Sequence, residues 1–388
     1  MAGSEDMINT ESASDHLVGG TLIGDFDPSR SNRLSLPHRD PGVGASFRLH
    51  PVELARRRKR CAPLIGAVVE RLREFIPRCN ICQSERSAII AQEDRYGVPS
   101  RTAMCLACGL FYQVDRLSET ECSRFYGSGE YRTLVSRFTG AQHGGIEQIG
   151  PNQVHYARVL IRALAGHLQF PAGARLLDVG GSAGHIALEF QEFFGLAATV
   201  LDPATSEIEA ARRLGLETIC ASFEEWEVDK EYDLVLLCRS IEHVRDLQQV
   251  LIKIRRCLTP NGYLYCDFVD FTEICRMVGV PEAVTKIDHC FWLTQESAAR
   301  IFRSLGFEIV AVHLSPQPPL VGFLVRRCKP SPLLLPDPAW IQLQLRDLLR
   351  FNSEWYQSGQ IQYDRKERFR RTAYLVKRRI QKLFESRG

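Results

Sequence analysis

The run Arg175-Leu-Leu-Asp-Val-Gly-Gly-Ser-Ala-Gly-His185 constrains this chain more than any other part of it. Leu176 to Val179 supply a short apolar stretch, interrupted by Asp178, that reads as a buried strand. Gly180, Gly181 and Gly184 follow at once and let the backbone turn tightly and approach a ligand closely. Ile186, Leu188 and Phe190 belong to the apolar side of the helix that comes next. A strand, a glycine turn and a helix in this order bind an adenosine-containing cofactor at the carboxyl edge of a parallel sheet. The bland alternative is a plain strand–turn–helix junction.

The glycine spacing narrows the choice of cofactor. A dinucleotide fingerprint, G-x-G-x-x-G, cradles a pyrophosphate. Here the glycines fall as Gly180-Gly181-x-x-Gly184, and Asp178 precedes them. A carboxylate aimed at the turn repels a pyrophosphate and suits an ammonium. That points to S-adenosylmethionine, which carries an ammonium and a sulfonium and no phosphate. The run resembles motif I of the class I S-adenosylmethionine-dependent methyltransferases, D-x-G-x-G-x-G, with Ser182 where the middle glycine usually stands.

Further elements follow in the order that this resemblance requires. Ala197 to Asp202 is a second apolar run ending in a carboxylate, placed to accept the ribose hydroxyls, although Asp202 also suits the start of a helix. Glu217 to Ser222 reads as a third strand, and the resemblance puts Ser222 and Phe223 beside the adenine. Tyr232 to Leu237 is a fourth strand that runs into Cys238-Arg-Ser-Ile-Glu-His243. The resemblance implies that Cys238 and Glu242 line the cofactor. Tyr263 to Phe268 is the fifth strand, and 306–312 with 320–325 close the sheet as a pair. The expected fold is therefore α/β: a Rossmann-like, mostly parallel sheet with an antiparallel last strand, over 153–328.

A second signal lies upstream. Cys79-Asn-Ile-Cys82 and Cys105-Leu-Ala-Cys108 have the spacing of two knuckles that share one tetrahedral Zn(II). A redox dithiol is the alternative, but such C-x-x-C pairs normally come singly. Four thiolates fill the coordination sphere, so a metal held by Cys79, Cys82, Cys105 and Cys108 is structural. The module, closing on Cys-Gly-Leu-Phe-Tyr112, resembles the N-terminal zinc-binding domain of bacterial sugar and polysaccharide methyltransferases.

The remaining organisation follows from composition. Residues 1–48 are rich in Ser, Gly, Asp and Pro and read as loosely packed. A basic helix is expected within 49–78, the zinc module over 79–112 and a connecting cap over 113–152. Basic helices are expected over 329–388, the last with an apolar face suited to docking or to a homo-oligomer contact. No apolar run reaches the ~20 residues that span a bilayer. Nine of the thirteen cysteines lie scattered outside the C-x-x-C pairs, which suits free thiols in a reducing, cytoplasmic setting.

Methyl transfer from a sulfonium needs an aligned acceptor and, for a hydroxyl, a base. His243, just past the fourth strand, and His289, in a long segment suited to a lid, are the candidate bases. Either histidine also reads as a purely structural residue. The expected activity is methylation of a small hydroxylated acceptor. The zinc module's resemblance implies a nucleotide-linked sugar or a related glycan or secondary-metabolite precursor, modified on O or N rather than C. Two alternatives stay open: an RNA methyltransferase using the basic segments, and a non-catalytic cofactor-binding scaffold. Nucleic acid is disfavoured because Cys238-Arg-Ser-Ile-Glu-His243 replaces the Asn/Asp-Pro-Pro-aromatic run used on base amines.

Overall fold

A computed structural model describes residues 51–69, 73–140, 150–228, 230–314, 319–355 and 357, all within the compact unit Asp40–Gly388. The loosely packed segment 1–48 and the last basic helix lie outside the described residues, and so does the proposed homo-oligomer contact on that helix. In chain order, α1 (Pro51–Val69) leads to β1 (Arg73–Phe75). The knuckle region carries β2 (Ser87–Glu93), β3 (Pro99–Cys105), β4 (Phe111–Gln113) and β5 (Asp115–Leu117). The cap is α2 (Glu119–Gly127) and α3 (Glu130–Thr139). The basic helix is thus shorter than expected. Its last residues form a strand because Arg73–Phe75 pairs antiparallel with β5, and that long-range pairing overrides local preference.

The catalytic-type sheet begins after α4 (Gly150–Leu164) with β6 (Arg175–Val179), α5 (His185–Phe194), β7 (Ala197–Leu201), α6 (Thr205–Arg213) and β8 (Glu217–Ile219). It continues through β9 (Tyr232–Cys238), α7 (Leu247–Cys257) and β10 (Leu258–Val269). Beyond it come α8 (Phe271–Val278), β11 (Phe291–Trp292), α9 (Gln295–Ser304), β12 (Phe307–Leu314) and β13 (Leu320–Arg327). A helix over 338–355 follows the proline-rich break. The seven strands lie in the order β12-β13-β10-β9-β6-β7-β8. β13 runs antiparallel to both neighbours, and the pairs among β10, β9, β6, β7 and β8 are parallel. The order reverses at β6, so the crevice between the ends of β6 and β9 is where such a sheet places its ligand.

Alternating faces explain the core. Leu177, Val179, Val235 and Leu237 pack with α7 and α9, whereas Leu176, Leu234 and Leu236 pack with α4 and α5. One feature escapes sequence reading. β11, from the long segment after β10, pairs antiparallel with β4 of the knuckle module. Ile287 N–H donates to Asp94 at 2.8 Å, Gln113 N–H donates to Cys290 O at 2.9 Å, and Arg95 N–H donates to Thr285 O at 2.9 Å. On the other flank, Asn80 of the first knuckle donates to Asp246 at 2.9 Å and accepts from Gln248 N–H at 2.9 Å at the start of α7. The module therefore grips the two loops that follow β9 and β10 at the carboxyl edge of the sheet. No described helix is long and apolar enough to cross a membrane.

Candidate active site

The glycine turn folds onto Asp178. That side chain is fully buried, and neither carboxylate oxygen has a hydrogen-bond partner among the described residues. Burial, with the nearby Asp202 charge, pushes its carboxyl up to about 7. A Cβ on Gly181 would stand 2.7 Å from the Asp178 carboxyl carbon, so only glycine lets the turn lie on this acid. Gly180 has φ 69, and a Cβ there would meet Ser240 Oγ at 2.6 Å. Gly184 caps α5 at φ 81, packed close to Leu216 and Ala211. Ser182 sits in the left-handed region at φ 54, where the family pattern has glycine. Its N–H donates to Asp202 Oδ2 at 3.0 Å, and its hydroxyl donates to Glu207 at 2.8 Å. Asp202 also accepts from Ala204 N–H at 2.9 Å, and burial raises its carboxyl. Asp202 thus holds the chain just ahead of α6, whose N-cap is Ala204. Glu207 in turn ion-pairs with Arg132 of α3, which ties the cap to the turn.

A buried carboxylate without a partner, under a turn that only glycines allow, fits an ammonium. It does not fit a pyrophosphate. The residues present therefore suit S-adenosylmethionine: Asp178 at the amino-acid end and Asp202 at the ribose.

Across the crevice, three loops bring a polar network together. His243 Nδ1 lies 2.7 Å from the Tyr126 hydroxyl and 3.2 Å from the Asp288 carbonyl oxygen. A carbonyl only accepts, so Nδ1 carries the ring proton. The Tyr126 hydroxyl is then free to donate to Asp288 Oδ2 at 3.2 Å. Nε2 of His243 is left with its lone pair. Burial holds the Tyr126 phenol well above its usual range, so it keeps its proton. His289 packs edge-on to His243, with ring centres 4.6 Å apart. Its Nε2 accepts from Lys286 Nζ at 3.1 Å, and burial and the Lys286 charge keep it neutral. His243, Asp288 and His289 also lie close enough together to share a metal ion. Their hydrogen bonds to Tyr126 and Lys286 use the same nitrogen atoms, which favours a proton-handling network over a cation site.

The four knuckle cysteines form a tight cluster. Cys79 Sγ lies 3.5 Å from Cys108 Sγ, and Cys82 Sγ lies 3.5 Å from Cys105 Sγ. Tetrahedral Zn–S bonds of ~2.3 Å place sulfurs about 3.8 Å apart, so the cluster fits one ion. Ala107 N–H points at Cys105 Sγ at 3.4 Å, as in a knuckle turn. Gly109, at φ 81, completes the turn, and a Cβ there would strike the Trp340 ring at 2.6 Å.

Residues 152–312 match a family described as a methyltransferase domain. The chain carries a class I S-adenosylmethionine-dependent methyltransferase domain. Among curated relatives, a ubiquinone biosynthesis O-methyltransferase of Rickettsia bellii is 26% identical over 145 residues, covering 36% of this chain and 59% of that protein. Its Rickettsia prowazekii counterpart is 30% identical over 112 residues, covering 27% and 44%. The chain thus spans about three-fifths or less of the length of these relatives. Among solved structures, the Burkholderia thailandensis 1,6-didemethyltoxoflavin-N1-methyltransferase is similar with a TM-score of 0.40 and 15% identity, covering 59% of this chain and 96% of that one.

Within the methyltransferase domain, the expected cofactor residues lie along one sheet edge, with differences in what they offer. Cys238 ends β9, buried, and burial beside Asp267 and Asp178 holds its thiol well above its usual range. Glu242 is buried. It accepts from Val269 N–H at 3.3 Å, and its other oxygen has no partner. Ser222 is half-buried and donates to Glu225 at 2.7 Å, starting a turn. The Phe223 ring is buried in the core against Trp226, and its carbonyl accepts from Lys253 Nζ at 2.7 Å. His289 is brought to the site but lacks a free Nε2, and the geometry favours His243 as the base. Sequence reading missed Asp288, Lys286 and the pair Asp267–Tyr156. Asp267, fully buried on β10, accepts from Arg239 N–H at 2.7 Å and from the Tyr156 hydroxyl, and burial raises its carboxyl to about 6. An acid inside the apolar run Tyr263–Phe268 was the one available signal for it. His185 lines an apolar cleft of about 500 Å³ with Gly150, Val154 and Leu214.

Proposed function

We propose that this chain transfers a methyl group from S-adenosylmethionine to a hydroxyl of a small metabolite, with His243 as general base. The observation that carries the reading is the ordered contact set His243 Nδ1–H, Tyr126 O–H and Asp288, which leaves Nε2 free at the sheet edge. The cofactor supplies an electrophilic methyl on a positively charged sulfur. Asp178 holds its ammonium, Asp202 its ribose, and the backbone at Ser222–Phe223 its adenine. Cys238 and Glu242 line the same edge. The acceptor enters under the cap helices α2 and α3. His243 Nε2 takes the hydroxyl proton as the oxygen attacks in line. The imidazolium that forms is stabilised through Tyr126 and by the Asp288 carboxylate 3.6 Å from Nδ1. Neutral His289 and Lys286 flank it.

In the same reading, Cys79, Cys82, Cys105 and Cys108 hold a structural Zn(II). The acceptor is a nucleotide-linked sugar or a related glycan or secondary-metabolite precursor, a choice supported only by the resemblance of the zinc module. O-methylation is preferred to C-methylation because a histidine poised on a relay suits a hydroxyl. All thirteen cysteines are unpaired, which supports a reducing compartment such as the cytoplasm. The test is calorimetric titration of S-adenosylhomocysteine, followed by labelled methyl transfer across a panel of hydroxylated acceptors with His243→Asn beside the wild type. Cofactor binding with turnover that His243→Asn lowers ~100-fold or more supports the reading. Folded protein that binds no cofactor overturns it.

A further inference from the structure

The wall opposite the cofactor turn carries positive charge that the base network does not neutralise. Lys286 Nζ lies against His289 Nε2, and among the described residues no carboxylate ion-pairs with it. Arg95 sits just after β2, its guanidinium 4.5 Å from the centre of the Phe138 ring and 5.3 Å from that of Tyr96. Its Nε is buried with no hydrogen-bond partner. Arg239 directly follows β9 with a left-handed backbone, φ 59, which non-glycine residues adopt at a cost and which clusters at functional sites. Its side chain is exposed and forms no ion pair among the described residues. Arg95 N–H donates to Thr285 O at 2.9 Å, which sets it beside Lys286, and both Arg95 and Arg239 act electrostatically on Lys286 and His289.

His289 adds a donor. It is 8% exposed, and its Nε2 accepts from Lys286. The ring proton of the neutral imidazole is therefore on Nδ1, which is buried and has no partner. A buried N–H without an acceptor is costly unless a ligand completes it. Asp288 and Glu242 offset part of this charge: both act electrostatically on Lys286, and each keeps one buried oxygen without a hydrogen-bond partner. Asp94 is taken up by N–H groups of Tyr96, Val98 and Ile287, and Asp288 is engaged by Tyr126 and His243. Glu242 has one oxygen on Val269 N–H.

We propose that Lys286, Arg239, Arg95 and the Nδ1–H of His289 form an oxyanion subsite, which holds a phosphate or carboxylate of the acceptor beside the hydroxyl that His243 deprotonates. The subsite rests on the proposed methyl transfer for its purpose but not for its test. Guanidinium groups and an ammonium converging with one neutral N–H match the several acceptor oxygens of either anion. The same constellation disfavours a metal cation at His243, Asp288 and His289.

The experiment is titration of the full chain, with and without S-adenosylhomocysteine, by inorganic pyrophosphate in one arm and 4-hydroxybenzoate in the other. Lys286→Met and Arg239→Gln are run beside the wild type, with melting curves to confirm folding. The expected result is saturable binding of one of the two probes, weakened about tenfold or more by either substitution, as for loss of a charge-assisted hydrogen bond. Cofactor affinity stays unchanged in Arg239→Gln. Pyrophosphate alone assigns the site to phosphorylated acceptors, and 4-hydroxybenzoate alone assigns it to carboxylates. Failure of both probes to bind folded wild type, or binding that neither substitution weakens, overturns the subsite. Loss of homocysteine-product binding with intact anion binding would instead strike the methyltransferase reading.

Discussion

The state of Asp178 makes cofactor binding depend on pH in a calculable way. Its carboxyl is raised to about 7 because it is buried beside the Asp202 charge, so the cofactor-free protein holds it partly protonated near neutrality. An ammonium placed against it favours the ionised form. Binding then releases a proton whenever the carboxyl starts protonated. Below about pH 7 the ligand ammonium stays charged, so the acid's ionised fraction governs that contact. That fraction falls from about one half at pH 7 to about one hundredth at pH 5, which weakens binding about fiftyfold. Titration calorimetry of S-adenosylhomocysteine at several pH values, in buffers of differing ionisation enthalpy, measures both the affinity and the proton released. In Asp178→Asn the steep pH dependence should vanish, and affinity at pH 7 should fall about tenfold or more with the charge-assisted bond gone. The reasoning fails if wild-type affinity is flat from pH 5 to 7, or if Asp178→Asn keeps the wild-type slope.

Three further outcomes follow from the same contacts. Tyr126→Phe removes the link between His243 and Asp288 and should lower kcat about tenfold to a hundredfold while leaving cofactor affinity intact; a loss in cofactor affinity instead would assign Tyr126 to packing. Gly184→Ala puts a methyl 2.7 Å from Leu216 and 2.9 Å from Ala211 in a left-handed residue, so chemical denaturation should show a loss of ~2 kcal/mol or more, and an unchanged midpoint would refute the close packing. Asp94, Asp178 and Asp270 are all raised to about 7 by burial. An acid raised on folding stabilises the fold below its unfolded value and loses that contribution as pH rises through its folded one. The melting temperature of the cofactor-free protein should therefore fall between about pH 4 and pH 7 on this account, and bound S-adenosylhomocysteine should recover the Asp178 part.

How much of this was readable in advance depended on the range of the contacts. The parallel strands were legible because their apolar runs and glycine turns are local: β6, β7 and β9 lie where the residues put them. The four-cysteine cluster was legible from spacing alone. β10 starts earlier than its apolar run, at Leu258. Thr259 to Gly262 are carried into the strand by pairing across an irregularity between Leu258 and Tyr263. β1 and β11 are two or three residues long and exist only because distant partners pair with them. The base network was half legible. His243 and His289 were visible as candidates, but nothing local distinguishes the free Nε2 of one from the occupied Nε2 of the other. That distinction comes from Tyr126 and Lys286, one on the cap and one on the lid segment.

The knuckle module then has a defined task, and it yields a prediction that separates the two halves of the site. The proposed cofactor contacts at Asp178, Ser182 and Asp202 lie on β6, β7 and the turn into α5, and neither strand pairs with a strand of the module. The acceptor wall is different. Asp288 and His289 sit just before β11, whose strand partner is β4 of the module, while Cys290 N–H donates to Glu242 O at 2.8 Å. The segment after His243 is anchored through Arg245, which donates to Leu117 O at 2.9 Å, and through Asp246 and Gln248, both bonded to Asn80 between the first two cysteines. Releasing a metal bound at Cys79, Cys82, Cys105 and Cys108, by chelation or by Cys82→Ser, frees both knuckle turns. Elemental analysis should find one zinc per chain before treatment and none after. Hydrogen exchange should then rise over 281–292 and 243–248, while β6 and β7 stay protected and S-adenosylhomocysteine still binds. Asn80→Ala should reproduce a milder form, with ~1–3 kcal/mol lost from the start of α7 and the zinc retained. Loss of cofactor binding in parallel with the zinc would show that the module supports the whole fold and not the acceptor wall, and the division of labour argued from these contacts would fall.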